Sequence, residues 1–419
     1  MHELHAAVWQ VLVPPPRGTE GGVVITLLNA LLLLAGLPLL FLVGVLAVQA
    51  LASVLLPRGR CASAPAAPGP RFVVLMPAHD EEAIIAAGVA ATLAELPAQG
   101  RLLVVADNCS DGTAAVARTA GAEVTERHDA RLRGKGYALA HGVAALGADP
   151  PEVVIVLDAD CVAVPGSLAL LAREAHRLQR PVQAMYDMRA PEGAGLVQRM
   201  AAFAWDFRTR LRAEGLRRLG QPCQLLGSGM AFPWPVLQRV DLATGHIVED
   251  LKLGLDCAAQ RLAPRFLPEA LVYSTFPTNV QGEKSQRQRW EHGHMSMVVS
   301  EAPRLLWQAL TTRNPALLVL TLDMCVPPLA LLGLVLGGHV AVVVVLSLLG
   351  MAHPWTLGLA VLNLSLLVGT IGLGWWRAGR RWVRLSELLF VPWYILRKLP
   401  IYLKFLTRRQ MNWIRTRRD

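Results

Sequence analysis

Two aspartates one residue apart, Asp158 and Asp160, close an apolar run, Val153-Val154-Ile155-Val156-Leu157, of strand length. A Val/Ile/Leu run without alternation suits a strand buried on both faces of a parallel sheet, and ligands of such sheets gather at the carboxyl ends of the strands. In an extended chain, residues two apart point the same way, so both carboxylates can reach one divalent ion, whose hard-oxygen preference they match. Taken alone, an Asp-x-Asp reads as two solvated turn aspartates, and its neighbours are what change that reading. Asp80, Glu81 and Glu82 follow the apolar segment Phe72 to Met76, and Asp107 follows Leu102 to Ala106. So many carboxylates at strand ends would repel one another unless a cation or a hydrogen-bonding ligand lay between them. The pattern predicts a metal and nucleotide site.

Other chemistry-bearing stretches come later. Leu225-Leu226-Gly227-Ser228-Gly229-Met230 holds glycines that let backbone approach a ligand closely. Gly245-His246-Ile247-Val248-Glu249-Asp250 opens a helix continuing through Leu255 and Ala259. Acidic residues at a helix start commonly cap it, and capping is the role expected of Glu249. Gln286-Arg287-Gln288-Arg289-Trp290 is a helical turn presenting an amide, guanidinium groups and an indole. His292 and His294 lack a third metal ligand and read as structural. The first strand is not followed by Gly-x-Gly-x-x-Gly, and Gly134-Lys135 lacks the upstream glycine of a P-loop, which disfavours a dinucleotide-binding dehydrogenase and a P-loop NTPase.

These residues need a scaffold, and from Arg71 short apolar strands alternate with Ala-rich helical segments, the pattern of a βαβ sheet. Strands are expected at Phe72 to Met76, Leu102 to Ala106, Glu123 to Glu126, Val153 to Leu157, Val182 to Met188 and Leu271 to Phe276. Helices are expected at Glu81 to Leu96, Thr113 to Thr119, Lys135 to Leu146, Pro165 to Arg177 and Gly195 to Leu219. The fold class is therefore α/β with a mostly parallel sheet.

The 419 residues are 53% hydrophobic with a mean hydropathy of +0.39, too apolar for one ordinary soluble domain. Val23 to Leu56 carries no charge and ends at Pro57-Arg58-Gly59-Arg60, as one tilted transmembrane helix with a cytoplasmic basic end would. Pro315 to Trp376 is a second apolar block of two or three spans. Leu385 to Arg418 mixes Trp393, Tyr394, Tyr402 and Trp413 with Arg397, Lys398, Lys404, Arg408 and Arg409, as an interfacial amphipathic helix with snorkelling cations does. The formal charge of +10 crowds toward this end, which favours a membrane surface over nucleic acid as the partner. Cysteines at 61, 109, 161, 223, 257 and 325 form no Cys-x-x-Cys pair, which fits a reduced cytosolic domain without a zinc site or disulfides. The expected organisation is an N-terminal segment with one span (1–60), a linker (61–70), an α/β domain (71–310), a transmembrane region (311–378) and a basic amphipathic segment (379–419).

The series Pro77-Ala78-His79-Asp80-Glu81, Ala106-Asp107-Asn108-Cys109-Ser110-Asp111-Gly112-Thr113, Asp158-Ala159-Asp160, Val248-Glu249-Asp250 and Gln286-x-x-Arg289-Trp290 resembles a membrane-embedded family 2 glycosyltransferase, the group of cellulose, hyaluronan and poly-N-acetylglucosamine synthases. The likeness spans about residues 70 to 300 plus the flanking spans. It implies a GT-A-type domain that binds a nucleotide-sugar donor, with Asp158 and Asp160 holding Mg2+ or Mn2+ on the diphosphate and Arg289 adding a forked donor. By the same resemblance Glu81 and Asp107 lie at the nucleotide, Asp107 near uracil and ribose, and Lys135 lies near the nucleotide or diphosphate; a solvated lysine is the alternative for Lys135. Asp250 matches the catalytic base of an inverting single displacement, because an acceptor hydroxyl must lose its proton as the bond forms. Gln286 and Trp290 match the acceptor-binding turn, with Trp290 as a stacking surface for a sugar or else a core indole, and Gly227 and Ser228 resemble a small-residue loop near the acceptor.

The implied activity is transfer from a nucleotide sugar, a UDP-sugar by resemblance, to a growing polysaccharide at the inner membrane, with the catalytic domain cytoplasmic. The alternative is a single transfer to a lipid or lipid-linked acceptor. An idle nucleotide-binding scaffold is the third reading. Ala106, Asn108 and Val248 depart from the Asp, Gly and Thr often found there, which leaves base and metal residues intact but loosens donor identity. The few spans imply that a polymer pore would need other subunits or export and assembly partner proteins. No nucleic-acid partner is expected.

Overall fold

Val153 to Val156 has every residue buried, as a strand covered on both faces must. In the computed structural model, which describes residues 19–57, 69–278 and 280–407, this strand lies inside an eight-stranded sheet. In chain order, α1 (Thr19–Leu55) precedes β1 (Phe72–Ala78), α2 (Glu82–Ala94), β2 (Gly100–Asp107), α3 (Thr113–Thr119), β3 (Glu123–Arg127), α4 (Lys135–Ala145), β4 (Val153–Val156), β5 (Val162–Ala163), α5 (Ser167–Leu178) and β6 (Val182–Arg189). Next comes α6 (Leu196–Asp206), which runs on through a π-helical stretch, Phe207–Ala213, into Glu214–Arg218. β7 (Met230–Pro233), α7 (Glu249–Ala259), β8 (Arg265–Thr275), α8 (Val280–Thr311), α9 (Pro315–Cys325), α10 (Leu329–Leu348), α11 (Pro354–Arg377), α12 (Val391–Arg397) and α13 (Leu399–Thr407) complete the order.

The strands lie in the order β3-β2-β1-β4-β7-β6-β8-β5. β1 pairs in parallel with β2 and β4, β2 with β3, and β6 with β8, whereas β7 runs against β4 and β6, and β5 against β8. The sheet is mostly parallel. Phe72 is level with both Gly100 and Val153, so β1, β2 and β4 finish at one edge, where the acidic residues sit. Successive strand residues feed opposite faces: Val74, Met76 and Ile155 pack with Ile85, Val89 and Leu171, while Leu75, Val154 and Val156 pack with Leu139, Phe232 and Leu253.

Several expectations change. β8 starts at Arg265 rather than Leu271, and β5 and β7 are short strands that carry little periodicity of their own. The long helix after Gly195 contains the π stretch, whose wider turns often mark functional positions. Of the apolar block from Pro315, α9 is a short helix buried on the α/β domain, with Leu317 and Leu320 fully covered, so two long apolar helices remain. The C-terminal segment is not one helix: prolines 392 and 400 lie near the starts of α12 and α13, where a missing N–H is tolerated. It keeps an apolar outer face, with Leu389 and Leu406 exposed, while Tyr394 and Tyr402 turn inward. Lys398, expected to snorkel, is buried and pairs with Glu291 at 2.5 Å.

α1, α10 and α11 are long and apolar enough to cross a membrane. Asn29 on α1 donates to Met351 O at 2.8 Å and accepts from His353 N at 2.7 Å, which ties α1 to the α10–α11 turn. At the other end, Gln49 on α1 donates to Asp323 on α9 at 2.7 Å, which anchors the helix on the α/β domain. The basic residues 58–60, the expected linker through residue 68, and Arg408, Arg409 and Trp413 lie outside the described residues.

Candidate active site

The loop after β4 carries both expected metal ligands. Asp158 N–H donates to Ser228 Oγ at 3.1 Å, so the glycine-rich loop before β7 fixes the position of that backbone. The Asp158 carboxylate accepts from the Lys135 ammonium at the start of α4, which also donates to Gly227 O at 2.8 Å and lies 3.9 Å from Glu249. Asp160 accepts from Ser274 Oγ on β8 at 2.8 Å. One ligand atom each of Asp158, Asp160 and Cys161 lie within 4.8 Å of one another. Burial pushes the Cys161 thiol up to about 12, so it stays protonated and the two carboxylates are the ligands suited to a hard divalent cation.

Asp158, Asp160 and Lys135 open into a cavity of about 130 Å³ that is also lined by Gly227, Asp250, Gln286, Arg289 and Trp290. Stretches scattered from the start of α4 to α8 thus meet in one space. Gly227 has φ +90°, and a Cβ there would sit 3.4 Å from Asp250 Oδ2, so a glycine satisfies both the backbone and the close approach. Glu81, Asp107 and Ser228 do not line this cavity. Ser228 lies beneath it, fully buried. Glu81 N–H donates to Thr113 Oγ1 at 2.8 Å at the end of β1. Asp107, at the end of β2, pairs with Arg127 at 2.6 Å and is buried.

Two carboxyls in the first turn of α7 carry unusual electrostatics. Burial holds the Asp250 carboxyl above the usual aspartate range, against the pull of Arg208 and Lys135. Burial likewise raises the Glu249 carboxyl, with the charge of Asp250 adding to the rise and that of Lys135 opposing it. Glu249 lies in the first turn of α7, as expected of a capping carboxylate, and its side chain also lines the cavity. Lys135 is driven down by burial and up by Asp158 and Glu249, with a net rise that keeps it cationic. Burial lowers the Arg289 guanidinium, while Glu249, Asp158 and Asp250 draw it back up, and its Nε has no hydrogen-bond partner among the described residues.

Trp290 packs on Trp205 with ring centroids 5.2 Å apart, and Trp205 Nε1 donates to Tyr186 O at 2.8 Å. The indole is thus a fixed wall between core and cavity. Arg208, Tyr186 and Glu249 were not legible as site residues, and Arg208 had no motif to mark it: it is one of several arginines on a long helix and is aimed by the π stretch. His292 and His294 face Ile401 O and Met324 O, each at 2.9 Å, which agrees with a structural role. His294 also borders the cavity, and burial, aided by Arg208 and Arg212, lowers it to about 4, so it is neutral at physiological pH.

The mixed sheet, the acidic strand ends and the helix-borne carboxylate define a GT-A-type transferase domain joined to membrane-length helices. Residues 70–293 match the family described as Glycosyltransferase like family 2, and the chain belongs to that family. Its structure is similar to a mannosyltransferase from Pyrobaculum calidifontis in complex with GDP-Man and Mn2+, with 16% identity over 90% of this chain and 100% of that one, and a TM-score of 0.55. It is also similar to glucosyl-3-phosphoglycerate synthase from Mycobacterium tuberculosis in complex with Mn2+, UDP-Glc and phosphoglyceric acid, with 22% identity over 58% of this chain and 87% of that one, and a TM-score of 0.41. No curated protein matches the chain in sequence.

Proposed function

We propose that the chain is an inverting, metal-dependent glycosyltransferase that moves a sugar from a nucleotide-sugar donor to an acceptor presented at the membrane. The observation that carries this reading is the single cavity in which Asp250 faces Asp158, Lys135 and Arg289. A divalent cation, Mn2+ or Mg2+, held by Asp158 and Asp160 would neutralise charge on the donor diphosphate. Lys135 and Arg289 bring fixed positive charge to the same side, where the leaving group gains negative charge. Glu81 and Asp107, on the neighbouring strand ends, are assigned to the nucleoside.

Asp250 takes the acceptor hydroxyl proton. As the acceptor oxygen bonds to the anomeric carbon, the bond from that carbon to the diphosphate oxygen breaks and its electron pair leaves with the nucleoside diphosphate. One displacement from the opposite face inverts the anomeric centre. Trp290 and Gln286 are assigned to positioning the acceptor, which is a growing polysaccharide or a lipid-anchored molecule, two readings that differ in the number of sugars added per acceptor. The three apolar helices are assigned to the inner membrane with the α/β domain in the cytoplasm, supported by Arg377, Arg380 and Arg381 at the domain-side end of α11.

The test is nucleotide release by the detergent-purified protein against a panel of UDP- and GDP-sugars, with Mn2+ and with EDTA. Release with one donor that requires the metal is expected. No release from any donor, with lipid and glycan acceptors supplied, would contradict the reading.

A further inference from the structure

A second cavity, of about 200 Å³, lies between the α/β domain, the apolar helices and the C-terminal segment. Trp205, Arg208, Trp290 and His294 line both it and the catalytic cavity, so these four side chains form a common wall. Beyond that wall the lining is largely apolar. It includes Leu46 of α1, Leu329 at the start of α10 and Ile371 of α11, so all three membrane-length helices contribute. A glycan carries hydroxyls around the edge of every ring and would leave them without partners against such a surface, whereas a hydrocarbon chain has none to satisfy.

One edge of the cavity is polar, and its polarity has a sign. Arg208, Arg212, Arg287 and Lys398 line the cavity, and Glu291 is paired with Lys398 at 2.5 Å. Arg287 lies 6.0 Å and the Lys398 ammonium 5.2 Å from the centre of the Tyr394 ring. Tyr394 is only 8% exposed, and its hydroxyl has no hydrogen-bond partner among the described residues. A buried hydroxyl left unpaired beside two cations is costly unless a ligand completes it.

We propose that this cavity holds the hydrocarbon chain of an anionic lipid acceptor whose phosphate lies beside Arg287, Lys398 and the Tyr394 hydroxyl. The hydroxyl of that lipid reaches Asp250 past Trp290. The proposal rests on the glycosyl transfer set out above and names its acceptor class. The bond changes are those of the same displacement, with the lipid oxygen as nucleophile, its proton going to Asp250 and the nucleoside diphosphate leaving.

The probe is a phosphatidylglycerol with a diazirine in its acyl chain, incorporated into nanodiscs with the full chain, irradiated, and compared with the matching phosphatidylcholine. Labelling of the wall at 200–208 and 326–330 is expected, about tenfold stronger for phosphatidylglycerol. Ala204→Trp, which fills the cavity, should remove that labelling, with Ala330→Phe as a second filling variant. Lys398→Gln should narrow the preference between headgroups. Binding of nucleoside diphosphate with Mn2+, read by calorimetry, reports folding in each variant, and metal-dependent nucleotide release by the unaltered protein tests the underlying reading separately: its absence would sink the transferase itself. Labels confined to outward residues such as Leu348 and Val368, equal labelling by both lipids, or labelling unaffected in filling variants that still bind nucleotide with Mn2+ would overturn the lipid site alone.

Discussion

Asp250 combines two opposing influences on its carboxyl: burial, and the neighbouring cations Arg208 and Lys135. Burial sets its carboxyl above the ordinary aspartate value, with Arg208 and Lys135 limiting the rise. A base must be deprotonated to act, so activity present above the raised pKa is lost as pH falls through it. The acid limb of kcat/KM against pH is therefore expected above the usual aspartate value of about 3.8. A limb at or below that value, measured with saturating metal, would show that Asp250 is not the titrating base. At the metal, Asp160→Asn should raise the Mn2+ concentration needed for half-maximal release by at least about tenfold, since one charged ligand of a small set is lost. Unchanged metal dependence would remove Asp160 from the site. Asp158, Asp160, Asp250, Arg289 and Trp290 were legible in sequence because each closes a short pattern whose spacing has a physical reason. Arg208 was not, because only a π turn distinguishes it from the other arginines of its helix.

At the scale of elements, the metal loop is held from below by α2. A Cβ on Gly88 would fall well inside contact distance of Ala159 O, the carbonyl between the two aspartates. Because that neighbour is backbone, it cannot rotate away, and Gly88→Ala must push the loop or the helix aside. We expect a stability loss of about 1–3 kcal/mol and weaker Mn2+ dependence, readable by thermal melts with and without metal. A variant as stable and as metal-responsive as the parent would show that the helix does not set the loop. β1, β2 and β4 were legible because buried parallel strands are written as unbroken apolar runs. β5 and β7 were hidden, being two and four residues long and defined by their partners rather than their own pattern. The break between the C-terminal helices is masked in sequence because their aromatic and basic residues run on through prolines 392 and 400.

Across the whole molecule, one buried polar network joins the membrane-length helix α1 to the α/β domain. Asp323 accepts from Gln49 of α1 at 2.7 Å, from Arg212 of the π stretch at 2.7 Å and from Gln224 before the glycine loop at 3.2 Å. The same stretch carries Arg208 into the cavity, so the seating of α1 and the placement of that guanidinium are coupled through it. Asp323→Leu leaves Arg212 buried without its carboxylate and should cost about 3–5 kcal/mol, with Arg212→Leu in the same chain restoring part of the loss. Additive losses in the pair would show that the network is not a unit. Membrane-length helices were legible from composition, but their seating was not, because contacts such as Gln49 to Asp323 join residues far apart in the chain. The proposed role of Asp250 as the base of glycosyl transfer is tested most directly by comparing Asp250→Asn with the parent for donor binding by calorimetry with Mn2+ and for sugar transfer. Donor affinity within a few-fold and transfer reduced by about 10²–10⁴ is the predicted result; transfer at the parental rate would contradict it.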